Sequence, residues 1–124
     1  MNTYTTKTTK KYLFKTQLKE QIFSQLLVYQ AFWSYDVQKL VDITDNLLIE
    51  KTLLYGDVEE ILLLFRVFTI KEIKEVWRNS VIPDERFYSH NYYLAKIFFN
   101  IKNPARYIKP LQKKLSRYEK LNSL

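Results

Sequence analysis

The apolar positions of this chain recur at helical spacing almost from end to end. Phe14, Leu18, Ile22, Leu26 and Tyr29 form one face of a helix over residues 12–29, and Lys11, Lys15 and Lys19 form a second, basic stripe on it, ordinary for a solvated face. Phe32-Trp33 then interrupts the pattern as an aromatic pair expected to anchor the connection to the core, with Leu40 and Ile43 tucked beneath the next helix. Helical spacing resumes over residues 45–55 and 58–68. In the second of these, Ile61-Leu62-Leu63-Leu64-Phe65 is apolar nearly all round, which predicts a central helix. Arg66 breaks that run and is expected to pair, buried or half-buried, with an acidic group such as Asp36, Asp57 or Glu60.

The punctuation between these runs is sparse. Gly56 is the only glycine in 124 residues and marks a tight helix-to-helix junction, where glycine can take a positive φ without steric cost. Asp57 with Glu60 three residues on reads as a capping box for the following helix. Thr69-Ile70-Lys71-Glu72 reads as a second capping box, opening a helix through Asn79 with Ile70, Ile73, Val76 and Trp77 on the buried side. Ile82-Pro83-Asp84-Glu85 starts another, running through Phe99. Its aromatics Phe87, Tyr88, Tyr92, Tyr93, Phe98 and Phe99 are of the kind that stacks bases in single strands, but with Leu94 and Ile101 continuing the stripe they read as core. Asn103-Pro104 caps and opens a last helix, which Pro110 is expected to kink or restart, and Tyr107, Ile108, Leu111, Leu115 and Tyr118 give it one apolar face.

These patterns predict an all-α fold, a compact bundle of about five to six helices with a helix-turn-helix-like pair at residues 57–79. One glycine and three prolines are too few for the turns that a sheet protein of this length needs. With 47% hydrophobic and 16% aromatic residues, the chain suffices for one domain over 1–124 with a real core. Residues 1–11 are expected to be flexible, and 103–124 to form a basic amphipathic C-terminal helix.

Charge changes the picture more than composition does. The net charge of +7 is carried by the ends: residues 1–31 hold a surplus of four positive charges and 82–124 a surplus of six, around a middle with three excess negative charges. Attraction to nucleic acid or to an acidic protein should therefore reside in the termini. Arg106, Lys109, Lys113, Arg117 and Lys120 share one face of the last helix, and Lys71, Lys74 and Arg78 share an outward stripe where a recognition helix would place them. These eight residues are the candidate partner or nucleic-acid surface.

With no cysteine and a single histidine, thiolate and histidine metal sites are excluded. His90 reads as a helix-surface or hydrogen-bonded residue. The carboxylate pairs Asp42/Asp45 and Glu59/Glu60 fall where capping explains them, and there is no Gly-rich phosphate loop or nucleophile set. No enzymatic activity and no cofactor are expected. The absence of a signal segment and of a long apolar run points to a cytoplasmic protein that does not enter a membrane. Exposed aromatics on so small a domain would favour a homodimer.

Phe32-Trp33 with Asp36 and Leu40, Ile49-Glu50, Tyr55-Gly56-Asp57, Ile61, Leu64-Phe65-Arg66, Ile73, Val76 and Asn79-Ser80 together resemble a family of small uncharacterised bacterial proteins, mostly from Bacteroidetes, known as a domain of unknown function. The resemblance covers residues 32–101. The chain differs in having Thr69 where many members have a second glycine, and Pro83-Asp84-Glu85 in place of a Ser/Thr-rich turn. Genes of that family often lie beside nucleotidyltransferase-like toxins of abortive-infection type. The resemblance thus implies an antitoxin-like or regulatory protein-interaction module, with such a toxin as partner, and carries no catalytic residue over. A helix-turn-helix DNA binder gripping phosphates with its basic ends stays open as the alternative, and it requires Lys71, Lys74 and Arg78 to join Lys113 and Arg117 in one positive surface.

Overall fold

The computed structural model describes residues 3–33 and 43–112, with side chains from residue 13 on. Regular structure among these residues is entirely helical, so the all-α class read from the periodicity holds. The elements are α1 (Thr3–Val28), α2 (Asp45–Tyr55), α3 (Val58–Val67), α4 (Ile70–Val76) and α5 (Tyr88–Ile97), followed by α6 over residues 104–112. A π-turn at Trp77–Val81 extends α4, and a 3-10 turn at Glu85–Phe87 leads into α5. The helices group into two compact units, Met1–Thr69 and Ile70–Leu124.

In the first unit α1, α2 and α3 pack against one another. Helix α1 begins at Thr3 rather than near residue 12, because nothing between Thr3 and Val28 breaks its hydrogen-bond ladder: the segment contains neither glycine nor proline. Residues 3–11 of the segment expected to be flexible are helical, and residues 1–2 lie outside the described residues. Leu18, Ile22 and Leu26 are buried, whereas Phe14 and Tyr29 keep 48% and 39% of their surface exposed. Steps of four residues drift by about 40° on a helix of 3.6 residues per turn, which leaves Phe14 at the edge of the stripe. Facing these residues are Leu48, Ile49 and Leu53 of α2 and Ile61, Leu64 and Val67 of α3, all buried.

Helix α3 is not the fully enclosed rod its run of leucines predicts. Val58 and Leu62 are each more than half exposed, since α1 and α2 cover one face of the helix and solvent the other. The junction before it is also made differently from the expectation. Gly56 has φ −70° and ψ 151°, an ordinary extended conformation. Its lack of a side chain matters for space: a Cβ there would lie 2.6 Å from the Thr52 carbonyl oxygen and 3.2 Å from Glu60 Cβ. The capping box is present, the Asp57 side chain accepting from the start of α3 and the Asp57 amide donating to Glu60 Oε2 at 2.8 Å. Tyr29 Oη donates to the other Glu60 oxygen at 3.1 Å, so this buried carboxylate ties α1 to the head of α3.

Left-handed backbone occurs instead at Gln30 (φ 60°) and Asn100 (φ 51°). Gln30 ends α1 by a Schellman arrangement: its amide donates to the Leu27 carbonyl, and the Ala31 amide reaches back to Leu26 at 3.0 Å. The next two residues part company. Phe32 is buried against Phe23, with ring centroids 5.4 Å apart, while Trp33 is 77% exposed and so is not the core anchor expected of the pair. Ile43 is half-buried, and Leu40 lies outside the described residues.

In the second unit α4 gives way to the π-turn at Trp77 instead of continuing as α-helix to Asn79. The Ile82 amide closes the wide turn on the Trp77 carbonyl at 2.9 Å. Ile73, Val76, Trp77, Val81 and Ile82 are buried, but Ile70, at the first position of a short helix, stays 55% exposed. Asn91 of α5 is completely buried at the turn, where its Oδ1 accepts from Trp77 Nε1 at 3.0 Å and its Nδ2 donates to the Val81 carbonyl at 3.3 Å. Gln112 of α6 likewise donates to the Ile82 carbonyl at 3.3 Å.

Asp84 caps the 3-10 turn through the Arg86 amide. The α5 residues that fill the core are Asn91, Leu94 and Ala95, with Phe99 just beyond. Of the aromatics expected there, Phe87, Tyr88, Tyr92 and Phe98 are half-buried and Tyr93 is 61% exposed, because a helix covered on one side buries only one stripe. Asn103 caps α6, its Oδ1 accepting from the Arg106 amide at 3.3 Å, and the helix runs through Pro110 to residue 112. Ile108 is buried and Leu111 half-buried; Leu115 and Tyr118 lie outside the described residues.

Candidate basic docking face

The second unit sets positive charge on a rigid aromatic base. Burial of Ile73, Val76 and Trp77 fixes the rotation of α4, and helical spacing then turns Lys71, Lys74 and Arg78 to the opposite side. Lys71 and Arg78 are exposed and Lys74 is half-buried. With Glu75 and Asn79 they line a recess of about 380 Å³.

Tyr107 of α6 supports this recess. Lys74 Nζ stands 5.6 Å and the Arg78 guanidinium carbon 5.9 Å from the centre of its ring, close enough for cation–π attraction. The Tyr107 ring is itself nearly parallel to the Trp77 indole, at 3° and 5.7 Å between centroids. Phe99 stacks on the same indole at 4.4 Å, and the Trp77 N–H is held by Asn91. The two cations therefore rest on groups that are locked by packing and by a buried hydrogen bond. Among the described residues, none of Lys71, Lys74 and Arg78 forms an ion pair with a carboxylate.

Arg106 and Lys109 are exposed on α6, on either side of Tyr107 in sequence. The other three members of the expected C-terminal stripe, Lys113, Arg117 and Lys120, lie outside the described residues. Helices α3 and α4, the expected helix-turn-helix pair, fall in different units with Phe68-Thr69 between them. Tyr107 was assigned to the apolar face of α6 from sequence, and its part in holding Lys74 and Arg78 was missed. So was the buried Asn91, whose polar side chain gives no periodic signal.

The basic groups of the first unit are used differently. Lys19 pairs with Asp45 at 3.1 Å and lies over the Phe68 ring, while Lys15 is exposed. Among the described residues Arg66 does not make the expected buried pair. It is exposed, with its guanidinium carbon 5.3 Å from the Phe14 ring centre, and both oxygens of Glu60 are already taken by Tyr29 and the Asp57 amide; Asp36 lies outside the described residues. Among the described residues no three histidine, cysteine or acidic side chains group as a metal site would require, and no helix is long and apolar enough to cross a membrane.

Comparison of the chain with protein-family models, curated proteins and solved structures produced no match. The chemistry of the face is that of positive charge and N–H donors held in fixed positions, suited to receiving an anion.

Proposed function

We propose that this chain is a non-enzymatic helical interaction module that docks an acidic protein partner on the basic face of its second unit. The observation that carries this reading is the grouping of Lys71, Lys74 and Arg78, which have no carboxylate partner among the described residues, around one recess, with Lys74 and Arg78 over the Tyr107 ring. Arg106 and Lys109 extend the positive charge along α6. The family resemblance of residues 32–101 supports an antitoxin-like or regulatory companion of a nucleotidyltransferase-like toxin as the biological form of that role.

DNA binding is the second reading, favoured by the outward stripe of α4. One experiment separates the two. The protein is titrated against an acidic polypeptide and against random duplex and single-stranded DNA at several salt concentrations, beside a Lys74→Glu/Arg78→Glu variant. Binding of the polypeptide that the variant abolishes supports protein docking. DNA binding whose affinity falls with salt at a log–log slope of roughly −3, as three neutralised phosphates give, supports the second reading. Undiminished binding by the variant removes this face from either role.

A further inference from the structure

We infer that the solvent side of α1, together with α3 beside it, pairs with a second copy of this chain in an antiparallel, two-fold arrangement. The surface belongs to the first unit and is independent of the basic face. Burial of Leu18, Ile22 and Leu26 leaves Phe14, Gln17, Gln21, Ser24 and Val28 turned to solvent. Their alternating steps of three and four residues are those of a helix-pairing seam. The seam is about 20 Å long at 1.5 Å per residue, and it contains no charged side chain. In a chain with 27% charged residues and a net charge of +7, that absence points to the occupant. A two-fold contact sets a patch against itself, so a charged seam would meet its own sign. An uncharged one lets two cationic copies close.

The order of residues along the seam suits reversal. Turned about Gln21, it places Phe14 against Val28 of the second copy, Gln17 beside Ser24, and Gln21 against its own equivalent. Phe14 and Val28, 48% and 71% exposed in one copy, would then be covered at both ends. Between them lie amides and a hydroxyl, which both donate and accept and so can satisfy one another. A parallel pairing would also match like with like on α1, and α3 discriminates between the two.

Arg66 lies 5.3 Å from the Phe14 ring centre and Tyr29 bonds to Glu60, so α3 runs alongside α1 in the opposite direction. These two contacts bracket Gln21 on α1 and Leu63 on α3. The solvent side of α3 holds Glu59, Leu62 and Arg66, and neither charge is in an ion pair among the described residues. An axis that passes Gln21 crosses α3 midway between Glu59 and Arg66. Each copy's Arg66 then comes opposite the other's Glu59, and the Leu62 side chains, 53% exposed, meet between them. Parallel pairing would instead oppose Arg66 to Arg66 and Glu59 to Glu59. The second helix also widens the contact, as the roughly 800 Å² that each partner of a stable dimer buries requires.

The test uses the full-length protein, which has no cysteine, so introduced thiols report the contact alone. Sedimentation equilibrium over a range of concentrations should show wild type as a reversible dimer. Gln21→Glu, which sets like charges at the axis, should weaken the dimer about tenfold or more and leave the circular dichroism spectrum unchanged. Arg66→Glu should weaken it as well, and adding Glu59→Arg to the same chain should restore it, a rescue that general destabilisation does not give. Gln21→Cys should cross-link copy to copy under mild oxidation. Phe14→Cys should not, because its equivalents stand about 20 Å apart in the antiparallel arrangement. Cross-linking through Phe14→Cys alone would mean a parallel pair and overturns the inference. So does a monomer at every concentration, a dimer indifferent to Gln21→Glu, or a charge swap that restores nothing. A dimer lost in Lys74→Glu/Arg78→Glu but kept in Gln21→Glu would move self-association to the basic face, and overturns it too.

Discussion

A methyl group at position 56 would meet the backbone of the preceding helical turn, and backbone yields less readily than the end of a side chain. Gly56→Ala should therefore destabilise the protein by about 2 kcal/mol, as overpacking does, measured by urea denaturation. The opposite change is expected where the backbone is left-handed. Gln30 and Asn100 carry the steric penalty of positive φ, so Gln30→Gly should raise stability by about 1 kcal/mol, with a smaller gain for Asn100→Gly because asparagine tolerates this conformation better. The same comparison shows what the sequence could disclose at this scale. The capping box at Asp57 and Glu60 was legible because its donors and acceptors lie three residues apart. The termination at Gln30 was not, because glutamine does not mark a helix stop; the turn is imposed by burial of Ala31 and Phe32 just beyond it.

At the scale of elements, periodicity located α2 and α3 to within a residue, since their ends carry Thr44, Gly56 and Asp57 as local signals. It overestimated the α-helix at Trp77, where the wide turn depends on Asn91, fourteen residues away. Asn91→Leu should cost about 3 kcal/mol by leaving the Trp77 N–H and the Val81 carbonyl unsatisfied, measured by chemical denaturation. It should also disturb the recess, whose Tyr107 support rests on Trp77. The cap before α5 responds to acid. Hydrogen bonds from Arg86 hold the Asp84 carboxyl below the usual carboxylate range. A depressed folded-state value contributes stability above the unfolded value of about 3.9, and that contribution is lost as the pH falls through the folded value. Thermal unfolding between pH 5 and pH 2 should show this loss, and Asp84→Asn should flatten it.

For the whole molecule, the helical class was legible from spacing alone, and so was the concentration of positive charge toward the ends. The candidate site was legible in part. Lys71, Lys74 and Arg78 were found by their shared face, but the aromatic support beneath them joins residues 77, 99 and 107, and no local pattern connects positions so far apart.

Each unit contains one of the chain's two tryptophans, and their surroundings are opposite: Trp33 is 77% exposed and Trp77 fully buried. The protein therefore has two intrinsic optical probes of different colour. Trp33 should emit at long wavelength and be quenched by acrylamide, while Trp77 should emit at short wavelength and resist quenching. Because Trp77 lies against the ring that carries Lys74 and Arg78, a ligand entering the recess should change the short-wavelength emission and leave the long-wavelength component as an internal reference. A Trp33→Phe protein, with the single emitter Trp77, would read occupancy of the basic face without any label.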